Sequence, residues 1–404
     1  MKDLLRAVTA AMSWINSQML TFDHGYYGIY ERVRIDEHIR TNWCRPDCNA
    51  EYLRVLHTYR KITGDDTFVS LEEKIYRWLV RTQDKEILSV WKGSFPFYLT
   101  DGYIRDPKTG ETLYQNDNGK IIVSLCRIYE ETKEQGFLEM AEAAAEYWMK
   151  VQQPDGTFGI LDGKNMEVCR KGPCFVQWLV SGLFLLYKLT GNLLYRGAAQ
   201  KGMHYLAPLI LPSGRCRTSY EMIGMEDWRP VSSEAAIMLY TLCIAYEAGE
   251  DPNLPEKIER TGSFLLSLQE ESGGIRNCEE GCMGASAADS RELCDLVYTA
   301  GFALQAFLLA WRILADEKYR DAAVRLAGFL TKIQCRGESL LWDGGWRGSY
   351  HMSAKRWEGQ ANQNNPLDEG GMYSVYTGWC CTNICTGLLE LMKALREDED
   401  ESDT

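Results

Sequence analysis

A ring of twelve helices, the all-α (α/α)6 toroid with inner and outer members in alternation, is the fold class this chain predicts, on three observations. A long apolar helix pattern, a short turn and an amphipathic helix pattern recur along all 404 residues. The amphipathic members tend to end in an aromatic residue or leucine, then glutamine, then a glycine loop. Six stretches too apolar around their circumference to sit at a surface alternate with six charged ones that suit an outer ring.

The first outer helix ends in Trp14-Ile15-Asn16-Ser17-Gln18 and leads to Asp23-His24-Gly25. The first inner helix spans residues 50–63 and stops at Thr63-Gly64-Asp65, where glycine supplies the left-handed cap. Its outer partner runs through Trp78-Leu79 to Gln83, ahead of Gly93. Residues 121–132 make the second inner helix, and the charged helix over residues 139–150 leads through Gln152-Gln153 to Asp155-Gly156. The third inner helix, residues 175–190, ends in a second such stop, Thr190-Gly191-Asn192, and its unit keeps only the glycine of Pro212-Ser213-Gly214. Residues 235–247 are followed by Leu265, Gln269 and Gly273-Gly274, and residues 296–314 by Leu330, Gln334 and Asp343-Gly344-Gly345. Residues 382–395 form the sixth inner helix. No linker interrupts the series, so residues 1–396 read as one barrel domain and residues 397–404 as an acidic, disordered tail.

A formal net charge of -13 with no Lys/Arg block argues against a sequence-independent grip on nucleic acid. A neutral or weakly acidic small molecule such as a sugar fits better. No basic segment followed by an apolar core opens the chain, and no window approaches the roughly 18 apolar residues that span a bilayer, so a cytoplasmic protein with no membrane partner is expected. In that compartment the 14 cysteines serve as free thiols or metal ligands. Self-association into a homo-oligomer stays open.

The inner-helix N-termini and the loops before them share one rim, where a pocket is expected. Aromatic residues concentrate there, among them Trp43, Phe97, Tyr98, Trp346, Tyr376 and Trp379. They either hold sugar rings or plug the toroid. Trp43, Trp346, Tyr376 and His351, which follows Trp346-Arg347-Gly348-Ser349-Tyr350, are the candidate substrate contacts.

Cys380 and Cys381 stand at the start of the last inner helix, and Glu292 and Cys294 hold the corresponding place one hairpin earlier. Neighbouring residues on a regular helix diverge by about 100°, so each pair converges only if its backbone is not yet helical. Three sulfurs and one carboxylate suit tetrahedral zinc, and helix N-termini stabilise thiolates. The bland alternative is four ordinary, mostly buried residues.

The Glu-x-Cys segment, the Cys-Cys pair one hairpin later with its Asn-containing helix, and the Gly273-Gly274-Ile275 loop upstream together resemble glycoside hydrolase family 127, the zinc-dependent cysteine glycosidases of the β-L-arabinofuranosidase type. The resemblance implies Zn held by Glu292, Cys294, Cys380 and Cys381, with Cys380 the nucleophile of a retaining mechanism. Counting forward from the glycine loop places the acid/base slot at Cys282, with Glu280 the candidate carboxylate beside it. The chain departs from the family in lacking its β-sandwich domain and its recognisable sugar-binding histidines.

A second reading uses carboxylates alone. Asp47, in Arg45-Pro46-Asp47-Cys48-Asn49, and Asp117, in Asn116-Asp117-Asn118-Gly119, each precede an inner helix on the rim. Their placement is similar to that in unsaturated glucuronyl hydrolases, with Arg45 and Lys120 near enough to receive a uronate. Capping the helix is the commoner role of Asp at such a position. A non-catalytic carbohydrate-binding toroid is the third reading.

Overall fold

A computed structural model describes residues 1–21, 27–100, 113–159, 172–222, 231–278, 292–359 and 371–402. Among them, six helices line a central axis: α2 (Pro46–Thr63), α4 (Gln115–Thr132), α6 (Cys174–Thr190), α8 (Ser232–Glu247), α10 (Gly301–Leu314) and α12 (Asn383–Ser402). Six more wrap them: α1 (Lys2–Trp14), α3 (Val69–Thr82), α5 (Gln135–Lys150), α7 (Leu193–Leu206), α9 (Leu254–Ser267) and α11 (Glu317–Ile333). Each inner helix packs on the next and α12 packs back on α2, so the ring is closed. Five hairpins are consecutive in the chain, and the sixth joins its two ends, α12 against α1. The toroid expected from the repeat is the fold observed.

Four inner helices, α2, α4, α6 and α8, start earlier than their apolar patterns do, whereas α10 and α12 start later. Pro46, with its fixed φ, occupies the first turn of α2 and brings Asp47 inside the helix. Gly64 (φ 73°) and Gly191 (φ 71°) cap α2 and α6 in the left-handed conformation, as the two stops predict. Helix α12 continues through the expected tail to Ser402, because Arg312 and Arg320 of the α10–α11 hairpin meet Glu397 at 3.4 Å and Asp398 at 2.8 Å. One stretch, Leu296–Leu314, proves long and apolar enough to cross a membrane by length and composition, contrary to the expectation from the sequence. In the ring it is α10 with its lead-in, and most of it is buried by neighbouring helices.

The glutamine of the repeat is a staple. Gln83 donates to the carbonyls of Gly93 at 2.8 Å and Met140 of α5 at 2.9 Å. Gln152 reaches Gly156 and Ala198 of α7, and Gln269 reaches Gly273 and Ala322 of α11. Gln334 donates to Gly344 at 2.6 Å and to Ala7 of α1 at 2.9 Å, which closes the circle. The glycine is required for the same reason: Gly344 has φ 99°, and a Cβ there would lie 2.4 Å from the Ala10 carbonyl oxygen. Removing the Gln334 amide strands two buried carbonyls, so Gln334→Ala is expected to cost about 2 kcal/mol by denaturant unfolding.

Short strands decorate the rim from which the inner helices descend. β1 (Arg32–Arg34) pairs with β2 (Ile39–Arg40) and with β8 (Ser374–Tyr376), β3 (Trp43–Cys44) with β4 (Leu99–Thr100), and β5 (Leu293–Asp295) with β6 (Ser349–His351), itself joined to β7 (Arg356–Trp357). All these pairings are antiparallel. β5 and β8 each run into a π-helical turn, Leu296–Ala300 and Thr377–Thr382, before α10 and α12.

Candidate active site

Arg45 lies in extended conformation just ahead of α2, and its guanidinium gathers three carboxyl groups. Nε and Nη2 meet Asp47 at 3.1 and 3.0 Å, Nη1 meets Glu31 at 2.9 Å, and Nη2 also meets Asp117 at 2.8 Å. Two carboxyls from adjacent inner helices therefore share one nitrogen. Asp47 also accepts a 2.6 Å hydrogen bond from the Trp379 indole. Neither aspartate caps its helix: Arg45 and Tyr114 hold the cap positions of α2 and α4 without a side-chain bond, and both acids sit in the first turn. The helix dipole favours their charge there.

Lys120, one turn after Asp117, reaches Glu51 at 2.6 Å and Asp47 at 3.7 Å and lies 3.3 Å over the Trp379 ring. Glu51 accepts in turn from Asn383 at 3.0 Å. Asp47, Glu51, Asp117 and Lys120 are all buried. Half-buried aromatics adjoin them: Arg45 sits 4.6 Å over Phe97, Phe97 packs on Tyr98 and Tyr114, and Tyr98 packs on Trp43. Trp43 donates to Glu31, and the Tyr376 hydroxyl accepts from Arg32.

The two aspartates are pushed apart in protonation. Burial raises Asp47, but the Arg45 and Lys120 cations outweigh it and hold the carboxyl below its ordinary value. Burial also raises Asp117; Arg45 pulls it down, the Asp47 charge pushes it up again, and it settles at about 7. Burial raises Glu51 too, with Lys120 opposing. A charged carboxylate beside one that keeps its proton near neutrality is an arrangement for moving protons.

The sulfur set is placed differently. Cys380 and Cys381 lie inside the π turn, both near the Trp346 carbonyl oxygen at 3.7 and 3.9 Å. Cys294 is buried in β5 opposite Tyr350, while Glu292 accepts from Ser353 at the hairpin edge. Among the described residues no three thiol, imidazole or carboxyl groups cluster as a metal requires. The four do not fit a zinc centre as they stand. Burial pushes Cys294 up to about 12 and Cys380 well above its ordinary value. Glu280 lies outside the described residues.

Of the other candidates, Asp47, Asp117, Trp43 and Tyr376 are brought to one end of the ring, whereas Trp346 and His351 are not part of the carboxylate cluster. Trp346 is fully buried with its indole donating to the Leu330 carbonyl, so it plugs the interior. The His351 ring accepts from the Ala354 amide in the β6–β7 turn. Arg45 and Lys120, expected as uronate receivers, are committed to carboxylates instead. Glu31 and Glu51 escaped the sequence reading. Glu51 stands four residues after Asp47, a one-turn spacing that could have found it, whereas Glu31 carries no such signal.

No family model matches the chain, and no curated protein matches it in sequence. Solved structures share its fold. A sugar epimerase from a ruminal bacterium aligns with TM-score 0.73 at 12% identity, over 97% of this chain and 98% of that one. The cellobiose 2-epimerase of Bacillus thermoamylovorans aligns with TM-score 0.71 at 12% identity, over 97% and 100%. An inactive variant of the α-1,6-mannanase of Salegentibacter, with two aspartates replaced and mannotriose bound, aligns with TM-score 0.62 at 14% identity, over 97% and 99%. These likenesses establish the helical toroid, and the zinc-dependent cysteine glycosidase family is not singled out by them.

Proposed function

We propose that the chain is a carbohydrate-processing enzyme, a glycoside hydrolase acting on a neutral oligosaccharide, with Asp117 as acid and Asp47 as base. The observation that carries this reading is the shared Arg45 nitrogen, which holds the Asp47 and Asp117 carboxyls side by side. Asp117 would give its proton to the glycosidic oxygen as the bond to the anomeric carbon breaks. Asp47 would take a proton from the water whose oxygen joins that carbon. The net change is one water added across the glycosidic bond, and proton exchange with solvent resets the pair. The flanking aromatics offer faces for sugar rings. Because Arg45, Lys120 and Arg32 already face carboxylates, a neutral sugar is favoured over a uronate.

Sugar-acting enzymes among the structures of like fold support the substrate class, and the mannanase variant, inactive with two aspartates replaced, supports carboxylate chemistry. The test is a panel of neutral disaccharides and mannosides with uronides as controls, read both for new reducing ends and for sugar interconversion. Interconversion without cleavage would replace hydrolysis by epimerisation at the same pair. Undiminished turnover in both Asp47→Asn and Asp117→Asn would remove the pair from the chemistry.

The zinc-held cysteine is tested beside it. Cys380→Ala is expected to leave turnover within about twofold and to lower stability by about 1 kcal/mol, the cost of deleting one buried heavy atom. Loss of turnover in that variant, with sensitivity to chelator, would restore the thiolate mechanism.

A further inference from the structure

Lys120 is buried in the bore of the ring, 1% exposed, with three partners and no surface role. Its ammonium lies between Glu51 at 2.6 Å and Asp47 at 3.7 Å, over the Trp379 ring whose own N–H donates to the same Asp47 oxygen. Glu51 is fixed from behind by Asn383 at 3.0 Å and Thr382 at 3.4 Å. Below it, a cavity of about 10 Å3 lined by Glu51, Arg54, Lys120, Ser124, Gln305 and Asn383 has room for about one water. Bulk solvent therefore screens the ammonium less than it would at the surface, and the nearest carboxyls feel its charge.

We propose that Lys120 is a positioning residue of the acid/base pair: its ammonium, clamped by Glu51 and the Trp379 ring, keeps Asp47 in the carboxylate form that serves as base. The inference rests on the proposed function of the pair and adds to it a residue that touches no substrate. Among the described residues, the charged and titratable groups around Lys120 and Asp47 are Cys48, Glu51 and Arg54 from α2 and Asp117 on the helix of Lys120, with Arg45 behind the two aspartates and Glu31 beyond it. α6, α10 and the turn into α12 present Trp178, Phe302, Gln305, Trp379 and Asn383, none of which titrates here. Asp47 therefore answers to two cations, and only Lys120 is tied to Glu51.

The test is carboxyl 13C NMR of the full chain labelled at aspartate, with resonances assigned from Asp47→Asn and Asp117→Asn. Lys120→Met is expected to raise the Asp47 midpoint by at least about one pH unit, and the acid limb of kcat/KM by the same amount. Glu51→Gln is expected to move both the other way. If Lys120→Met alone fails to fold, the double variant Glu51→Gln/Lys120→Met carries the test, with an Asp47 midpoint above that of Glu51→Gln. An unmoved midpoint in any folded variant lacking Lys120 overturns the proposal, since a packing role would not shift a titration. Turnover that survives Asp47→Asn would instead strike the proposed function and leave the titration result standing.

Discussion

Replacing Asp117 with asparagine is expected to lower turnover by about 10²- to 10⁴-fold, the usual contribution of a positioned acid, while making the protein more stable at alkaline pH. The carboxyl sits at about 7 in the fold against an ordinary 3.8, so the folded state binds its proton more tightly than the unfolded chain does. Its contribution to stability is thus fully present below the unfolded value and is lost as pH rises through about 7. Asparagine cannot ionise, and Arg45 keeps Glu31 and Asp47 as partners. The melting temperature of the variant relative to wild type should therefore climb between pH 5 and pH 8, as measured by calorimetry across that range. A flat difference would mean that Asp117 is charged throughout and cannot be the acid. Stability given up for function at one buried group is a common pattern in active sites.

The second large effect is mechanical. Gly119 lies where α4 crosses α6: a Cβ there would fall 2.5 Å from the Leu179 nitrogen and 2.5 Å from the Trp178 carbonyl carbon. Both are backbone atoms, so no side chain can swing aside and the helices must part. Gly119→Ala is expected to cost about 3 kcal/mol, at the upper end for overpacking, and to displace Asp117 two residues earlier, lowering turnover as well. Gly328 in α11 is the control, because a Cβ there meets nothing within 4 Å. Gly328→Ala should stabilise by about 0.5–1 kcal/mol through helix propensity. Equal unfolding midpoints for the two variants would contradict the close crossing.

The ring was legible in the sequence because its elements are local. Apolar helices 50–63 and 175–190 carry their own stops at Gly64 and Gly191, and the glutamine-to-glycine spacing repeats around the chain. What that spacing does was not legible, since the second acceptor of each glutamine lies on the next outer helix, about 50 residues on in the case of Gln269 and Ala322. The same limit applies at the site. Asp47 and Asp117 stand out as acids ahead of inner helices, but their meeting on Arg45 depends on how α2 and α4 rotate in the ring. The cysteine pair stood out for a chemical reason, but where its sulfurs go depends on the π turn, which sets Cys380 and Cys381 against the Trp346 carbonyl, while Glu292 accepts from Ser353. Trp379 looked like one more rim aromatic, and only the fold reveals its indole on Asp47 and its face under Lys120.

The clasp between Gln334 and α1 joins residues 327 positions apart. A ribosome releases α1 long before the loop that must grip it, so the first helix waits with its apolar stripe uncovered while five hairpins assemble in sequence. Closure then has to join two segments far apart in the chain, a non-local contact that makes it the natural slow step of folding. Substitutions confined to this seam should retard folding more than those at the internal staples, although the bonds removed are the same.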